Sequence, residues 1–385
     1  MTASVLPDSV CFLGYGLHPP WDEGTRVLTR DLIRSLLEHS SIDPVALSTI
    51  DPEGIPADDF PATYVRESVV GRLAERVGLY RYNTDVPMMY RLGRELRRWT
   101  NNESSQLVHA GFASHSIFSA VRDDSIPFVA HAFGGLEHRD LLRLFRTRHR
   151  IDAYVTSSRA DFAEFEAFGI AEHKQYYVPP VVQTRTQDTA QARELFDIPA
   201  ENFVVGYLGN VNRHRFPFAF VERLNEFASE AGTSVVVFTK QIEDEDIRML
   251  PNVDVVVRSL SEREKDLALS AADVWVFPFQ FTEAATAPII DPPLTVLEAM
   301  GAGTTVVASR TLSLPEVIDD GRTGFLHAGD DYDAFVDTLR RLRTAPAQTD
   351  AVGERARIHI SDTFSAPRVV DALHAVYSDV MSRSG

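Results

Sequence analysis

The run Asp291-Pro292-Pro293-Leu294-Thr295-Val296-Leu297-Glu298-Ala299-Met300-Gly301-Ala302-Gly303 sets two carboxylates and a hydroxyl around the start of a helical pattern. Proline is tolerated in a first helical turn, where the amides have no intrahelical partner. Leu294, Leu297 and Met300 supply an apolar face, and Gly301 and Gly303 end the element. An open helix start offers free N–H groups and the positive end of the helix dipole, a setting suited to a phosphate. Glu298 lies one turn in, where a buried carboxylate can accept hydrogen bonds from sugar hydroxyls. An ordinary buried amphipathic helix is the other reading of the same residues.

A second set of candidates follows the apolar run Phe203-Val204-Val205-Gly206-Tyr207-Leu208-Gly209, where the chain continues Asn210-Val211-Asn212-Arg213-His214-Arg215. Two arginines just beyond a strand-ending glycine suit a phosphate, because a guanidinium offers a planar set of donors. A solvated loop tip is the plain alternative. His109, His115, His131 and His138 cluster in sequence without the spacing of a metal site. Glu243-Asp244-Glu245-Asp246 lies on a polar stretch and reads as a solvated face.

These residues need a scaffold, and the pattern predicts alternating strands and helices. Val10-Cys11-Phe12-Leu13-Gly14-Tyr15-Gly16 reads as a first buried strand, followed by a helix with Val27, Leu28, Leu32, Ile33, Leu36 and Leu37 at helical spacing. Strand, glycine-bearing loop and helix open a doubly wound α/β domain. Further strands are expected near 45–48, 106–111, 127–133 and 153–158. The helix 88–99 carries Arg91, Arg94, Arg97 and Arg98, either as a solvated face or as a basic surface for a membrane. The polar stretch 183–193 reads as a linker. A second α/β series begins at Phe203, with strands near 234–239, 253–257 and 274–279. The tail 365–382 is helical, with Val369, Val370, Leu373, Val376 and Tyr377 on one side.

The run 294–309, taken with Leu314-Pro315-Glu316-Val317-Ile318-Asp319-Asp320-Gly321-Arg322-Thr323-Gly324-Phe325-Leu326, resembles the C-terminal signature of retaining GT-B glycosyltransferases of the glycogen-synthase-like family 4 group. The resemblance implies two Rossmann-like domains facing a cleft. It places an acceptor domain over 1–185, a nucleotide-sugar domain over 195–364, and a terminal helix over 365–385 that crosses back to the first domain. It implies transfer of a hexose from a nucleoside-diphosphate sugar to a hydroxyl acceptor with retention, without cofactor or essential metal.

By the same resemblance Glu298 binds the donor ribose, and the amides of Leu294 and Thr295 with the Thr295 hydroxyl meet the diphosphate. The family's second glutamate falls on Ile290, so Asp291 is the nearest carboxylate. The family's arginine and lysine after the strand-ending glycine fall on Asn210 and Arg215, with Arg213 as a stand-in. The loop 14–24, ending at Gly24, is similar to the one that faces the donor phosphates. The family's active-site histidine falls on Phe133. His131, two residues earlier and on the same side of the strand, is the catalytic candidate together with Arg215, with a structural core histidine as the other reading of it. Glu137, His138 and Asp140 follow in the loop where an acceptor would arrive. A GT-B sugar-nucleotide epimerase and a catalytically silent nucleotide-sugar-binding subunit are the alternative functions.

Composition bounds the remainder. A chain of 385 residues that is 44% apolar is long enough for two cores. Its formal charge of -17 argues against nucleic acid as a partner. The one cysteine, Cys11, precludes an internal disulfide and fits a reducing cytoplasm. No apolar run approaches a membrane span, and the start lacks the pattern of a secretory signal.

Overall fold

Strands buried on both faces read as unbroken apolar runs, and such runs form two parallel sheets. The computed structural model describes residues 5–14, 16–19, 21, 23–50, 54–66, 86–100, 106–111, 126–133, 150–185, 188–240, 242, 250–280 and 290–384. The first sheet contains β1 (Ser9–Gly14), β2 (Asp43–Ile50), β3 (Ala62–Arg66), β4 (Gln106–Gly111), β5 (Phe128–Ala132), β6 (Ala153–Thr156) and β7 (Gln175–Tyr177). Their order is β3-β2-β1-β4-β5-β6-β7, with every pairing parallel. The second holds β8 (Phe203–Leu208), β9 (Thr233–Thr239), β10 (Val253–Val257), β11 (Val274–Phe277), β12 (Thr305–Ser309) and β13 (Phe325–His327). Its order is β10-β9-β8-β11-β12-β13, again all parallel.

In each sheet the strand order reverses at one place, between β1 and β4 in the first and between β8 and β11 in the second. Loops leaving the carboxyl ends of strands splay apart at such a reversal, which opens a crevice for a ligand. The α/β fold expected from the sequence is the one found. The chain divides into a first unit, Met1–Val181 with Pro288–Asp291 and Ala366–Gly385, and a second, Val182–Ala287 with Pro292–Ser365.

In the first unit the terminal helix Ala366–Ser384 buries Val369, Val370, Leu373, Val376 and Tyr377, the stripe expected from the sequence. It is pinned by Ser40 Oγ, 2.7 Å from His374 Nε2, and by the Tyr377 hydroxyl, 2.7 Å from His109 Nδ1. The helix Gly24–His39 buries Leu28, Leu32, Ile33 and Leu36, while Leu37 of the expected stripe is exposed.

The supposed linker is corrected in the second unit. A helix occupies Thr189–Leu195, capped by Asp188, whose carboxylate accepts from the Gln191 amide at 3.1 Å. Arg193, on this helix, is buried and ties neighbouring elements together. Its guanidinium donates to the Ala271, Ala200 and Asn202 carbonyls at 3.2, 2.7 and 3.1 Å and to Asp273 Oδ2 at 2.9 Å. Polarity suggested a linker because a buried, fully engaged arginine reads like a solvated one.

The turn that ends the helix Leu294–Gly301 is held from outside. Gly303 takes φ +78°, the left-handed form that turns the chain so that the next amide, that of Thr304, donates to Ala299 O at 3.2 Å, while the Gly303 amide donates to Met300 O at 3.0 Å. The helix Pro346–Phe364 crosses so close to this turn that a Cβ on Gly353 would lie 2.1 Å from Gly303 O.

Candidate functional site

At the reversal point of the second sheet, the loop after β8 is built around Asn212. Its side-chain Oδ1 accepts from the His214 and Arg215 amides at 3.1 and 3.0 Å, and its carbonyl accepts from Arg215 and Phe216 at 3.1 and 2.9 Å. The buried Tyr207 hydroxyl donates to Asn210 O at 2.7 Å. Burial pushes the Tyr207 phenol up, and the charge of nearby Arg215 pulls it the other way. The carbonyl of His214 accepts from the Gln280 amide at 2.7 Å, joining this loop to the one leaving β11. Gln280 in turn donates to Tyr332 Oη.

Arg215 is half-buried and Arg213 exposed, and neither makes an ion pair among the described residues. Arg213 Nε instead donates to His214 Nε2 at 3.0 Å. Asn210 contributes its backbone carbonyl to the loop.

The helix Leu294–Gly301 holds the other candidate residues of the second unit. Its first backbone bonds run from Val296 and Leu297 to Pro293 O, at 3.0 and 3.4 Å. The amides of Leu294 and Thr295 precede them and make no bond among the described residues, and no side chain caps the start. Val296, Leu297, Ala299 and Met300 are buried; Leu294, expected on the apolar face, is half-buried at the start. Glu298 is nearly enclosed. Its Oε1 lies 2.6 Å from Lys265 Nζ, while its Oε2 is buried and has no partner. Beside this pair Arg185 Nε lies 2.7 Å from Asp266 Oδ1, and the Arg185 amide donates to Gly301 O at 3.1 Å.

The structure thus brings Asn210, Arg213 and Arg215 onto one capped loop, and Leu294, Thr295 and Glu298 onto one helix. Asp291 belongs elsewhere. It is buried in the first unit, and its amide donates to Phe133 O at 3.2 Å, at the end of β5. Gly24 begins its helix in the first unit, next to Glu23, which caps without a side-chain bond.

His131, the catalytic candidate of the first unit, is enclosed, as the structural reading of it expects. It is 1% exposed, and both ring nitrogens are occupied. Nδ1 lies 3.0 Å from His109 Nε2 and Nε2 lies 3.4 Å from Ser157 Oγ, while the Phe133 ring covers one face. Burial, aided by His109, holds the His131 imidazole well below its ordinary value. The side of β5 on which it lies is packed by the core rather than opened to solvent. Glu137, His138, Asp140 and the acidic run 243–246 lie outside the described residues. Sequence reading missed Lys265 and Arg185, whose partners are distant in the chain. It also passed over Asn212, an asparagine at a turn, which is a recognisable signal.

The fold is that of the GT-B glycosyltransferases. HepE of Anabaena, in a structure described as a complex with UDP-glucose, superposes with a TM-score of 0.72 over 97% of this chain and 99% of its own, at 14% identity. A sucrose-phosphate synthase from Thermosynechococcus elongatus gives 0.75 over 97% and 100%, also at 14% identity. Residues 202–344 match the family described as glycosyl transferases group 1.

Among curated relatives, a D-inositol 3-phosphate glycosyltransferase of Mycobacterium avium (strain 104) is 43% identical over 84 residues, 22% of this chain and 20% of its own. One from Corynebacterium kroppenstedtii is 27% identical over 209 residues, 51% of this chain and 44% of its own. The lipopolysaccharide core biosynthesis mannosyltransferase LpcC of Rhizobium leguminosarum bv. viciae is 29% identical over 182 residues, 46% and 51%. The chain therefore spans from a fifth to about half the length of these relatives.

Proposed function

We propose that this chain is a glycosyltransferase that moves a hexose from a nucleoside-diphosphate sugar to a hydroxyl acceptor, with retention and without an essential metal. The observation that carries the reading is Glu298: a carboxylate one turn inside a helix with an uncapped start, with one oxygen enclosed and unpartnered. Such an oxygen calls for a hydroxyl donor, and a ribose supplies one. The Leu294 and Thr295 amides lie one turn nearer the helix start, where a diphosphate would receive them. The neighbouring family match and the relatives that act on sugars support the same class.

The difficult part of such a transfer is the negative charge that builds on the departing nucleoside diphosphate. Arg215, with Arg213 beside it, and the helix start supply fixed positive potential for that charge. The Asn212 cap holds the Arg215 amide in place, so the backbone from which the guanidinium extends is fixed before the donor arrives. Retention places the acceptor hydroxyl on the face of the sugar that the diphosphate leaves.

Thermal-shift and calorimetric titration with ADP, GDP, UDP and their sugars test the reading. A diphosphate at ~100 times its dissociation constant should stabilise the fold by about 2.7 kcal/mol. Glu298→Gln keeps the shape and one acceptor but removes the charge, and it should weaken that ligand at least several-fold. A folded Glu298→Gln protein that binds like wild type would remove the donor-site assignment. Proton NMR of the product reads the anomeric outcome, and turnover in EDTA reads the metal requirement.

A further inference from the structure

Lys265 rises from the helix Glu262–Ala271, whose start is fixed by a capping box. Ser261 Oγ accepts from the Glu264 amide at 3.3 Å, and Glu264 Oε2 accepts from the Ser261 amide at 2.9 Å. Positions three and four residues on, Ala268 and Leu269, are buried, so Lys265 sits on the inward side of the first turn. Its stem runs toward the helix Leu294–Gly301 and its ammonium meets Glu298 Oε1 at 2.6 Å. The adjacent Asp266 carboxylate is already held by Arg185 Nε at 2.7 Å. The Glu298 side chain is 12% exposed, and its Oε2 has no partner.

An ionised carboxylate has two oxygens and accepts from both vicinal hydroxyls of a ribose when nothing else engages it. Here one oxygen is committed to an ammonium. We propose that Lys265 is a positioning residue for the donor ribose: by holding Oε1 it orients the carboxylate so that the unpartnered Oε2 is presented to the ribose, and one of the two ribose hydroxyls is read in preference to the other. This role rests on the donor-site reading above. The charge of Lys265 also keeps the enclosed carboxylate compensated before the ligand binds, so the acceptor is in place rather than assembled on arrival.

The test is a binding cycle with whichever of ADP, GDP and UDP gives the largest thermal shift, together with its 2′-deoxy and 3′-deoxy forms. Wild type should separate the two deoxy nucleotides by ~10-fold, the scale of one hydrogen bond to a charged group. Lys265→Met should weaken the parent diphosphate by a similar factor and bring the two deoxy forms to within ~3-fold of each other. Added to Glu298→Gln, it should cost less than ~2-fold more, because the two residues act as one unit. Lys265→Arg should restore most of the affinity.

A Lys265→Met protein that binds the diphosphate like wild type, or whose loss multiplies fully with that of Glu298→Gln, overturns the proposal while leaving the donor site intact. An unchanged Glu298→Gln protein instead removes the donor-site reading and this role with it. A lower melting temperature with unchanged discrimination between the deoxy forms also overturns it, since a purely structural lysine would give that result. Should Lys265→Met fail to fold, Lys265→Gln keeps most of the stem and is judged by the same outcomes.

Discussion

His109 Nε2 and His131 Nδ1 face each other at 3.0 Å in the core of the first unit, and one assignment of protons satisfies the whole chain they belong to. Tyr377 Oη donates to His109 Nδ1, His109 Nε2–H donates to His131 Nδ1, and His131 Nε2–H donates to Ser157 Oγ, which donates to Val178 O. Both imidazoles are neutral in this arrangement. A proton added to either ring sets two N–H groups against each other or leaves a charge in an apolar core.

Acid should therefore weaken the first unit through this pair. Burial holds the His109 imidazole down to about 3 and His131 well below its ordinary value. The unfolded chain, with imidazoles near about 6.5, takes up protons first as pH falls. The stabilisation is thus whole above about pH 6.5 and is lost progressively below it, at up to about 1.4 kcal/mol per histidine per pH unit. Urea unfolding across this range should show a steeper loss for wild type than for His131→Asn. Equal slopes would mean that the pair is not the source.

The same geometry sets the expected outcome for His131→Ala. Removing an enclosed ring leaves a cavity and strands the nitrogen of His109, a loss of roughly 2–5 kcal/mol. Melting temperature should fall, while turnover per folded molecule and affinity for nucleoside diphosphate should stay near those of wild type. A turnover loss of ~100-fold in a well-folded variant would instead place His131 in the reaction.

Gly353 tests the support of the organising helix. A methyl group there meets a backbone oxygen at 2.1 Å, and backbone cannot swing aside as a side-chain end does. Gly353→Ala should push the helix Pro346–Phe364 away from the turn at Gly303 and cost roughly 1–3 kcal/mol or more, despite the better helix propensity of alanine. The melting temperature reads this directly. A neutral or stabilising effect would mean that the contact is loose.

Most of the architecture was legible in the sequence, because fully buried parallel strands leave apolar runs and the helix Leu294–Gly301 has proline before it and glycine after it. The terminal helix was legible from its five-residue stripe. The hidden parts are those in which polar residues do buried work. Arg193, Lys265 and Arg185 look like surface charges until the fold supplies partners 33 or more positions away. His131 was ambiguous for a different reason. Strand periodicity fixes which side of β5 it lies on, but cannot tell whether that side meets a ligand or the ring of His109.

Arg215 carries the last prediction. The guanidinium is half-buried, lacks a carboxylate partner among the described residues, and sits on a loop whose shape is set by Asn212. A cation so placed is matched to an anion from outside, and its contact with a diphosphate is charge-assisted, worth roughly 1.5–3 kcal/mol or about 10- to 150-fold. Arg215→Ala should therefore weaken nucleoside diphosphate by that factor and leave the free nucleoside within about twofold, since only the phosphates touch it. Raising the salt concentration should narrow the difference between wild type and variant, as screening weakens an exposed pairing. Asn212→Ala removes the cap but not the charge, so it should produce a smaller loss of a few-fold, on the scale of about 1 kcal/mol for a lost cap. Calorimetry on both variants separates the contributions. Equal losses for nucleoside and diphosphate in Arg215→Ala would show that the residue shapes the pocket rather than meeting the phosphates.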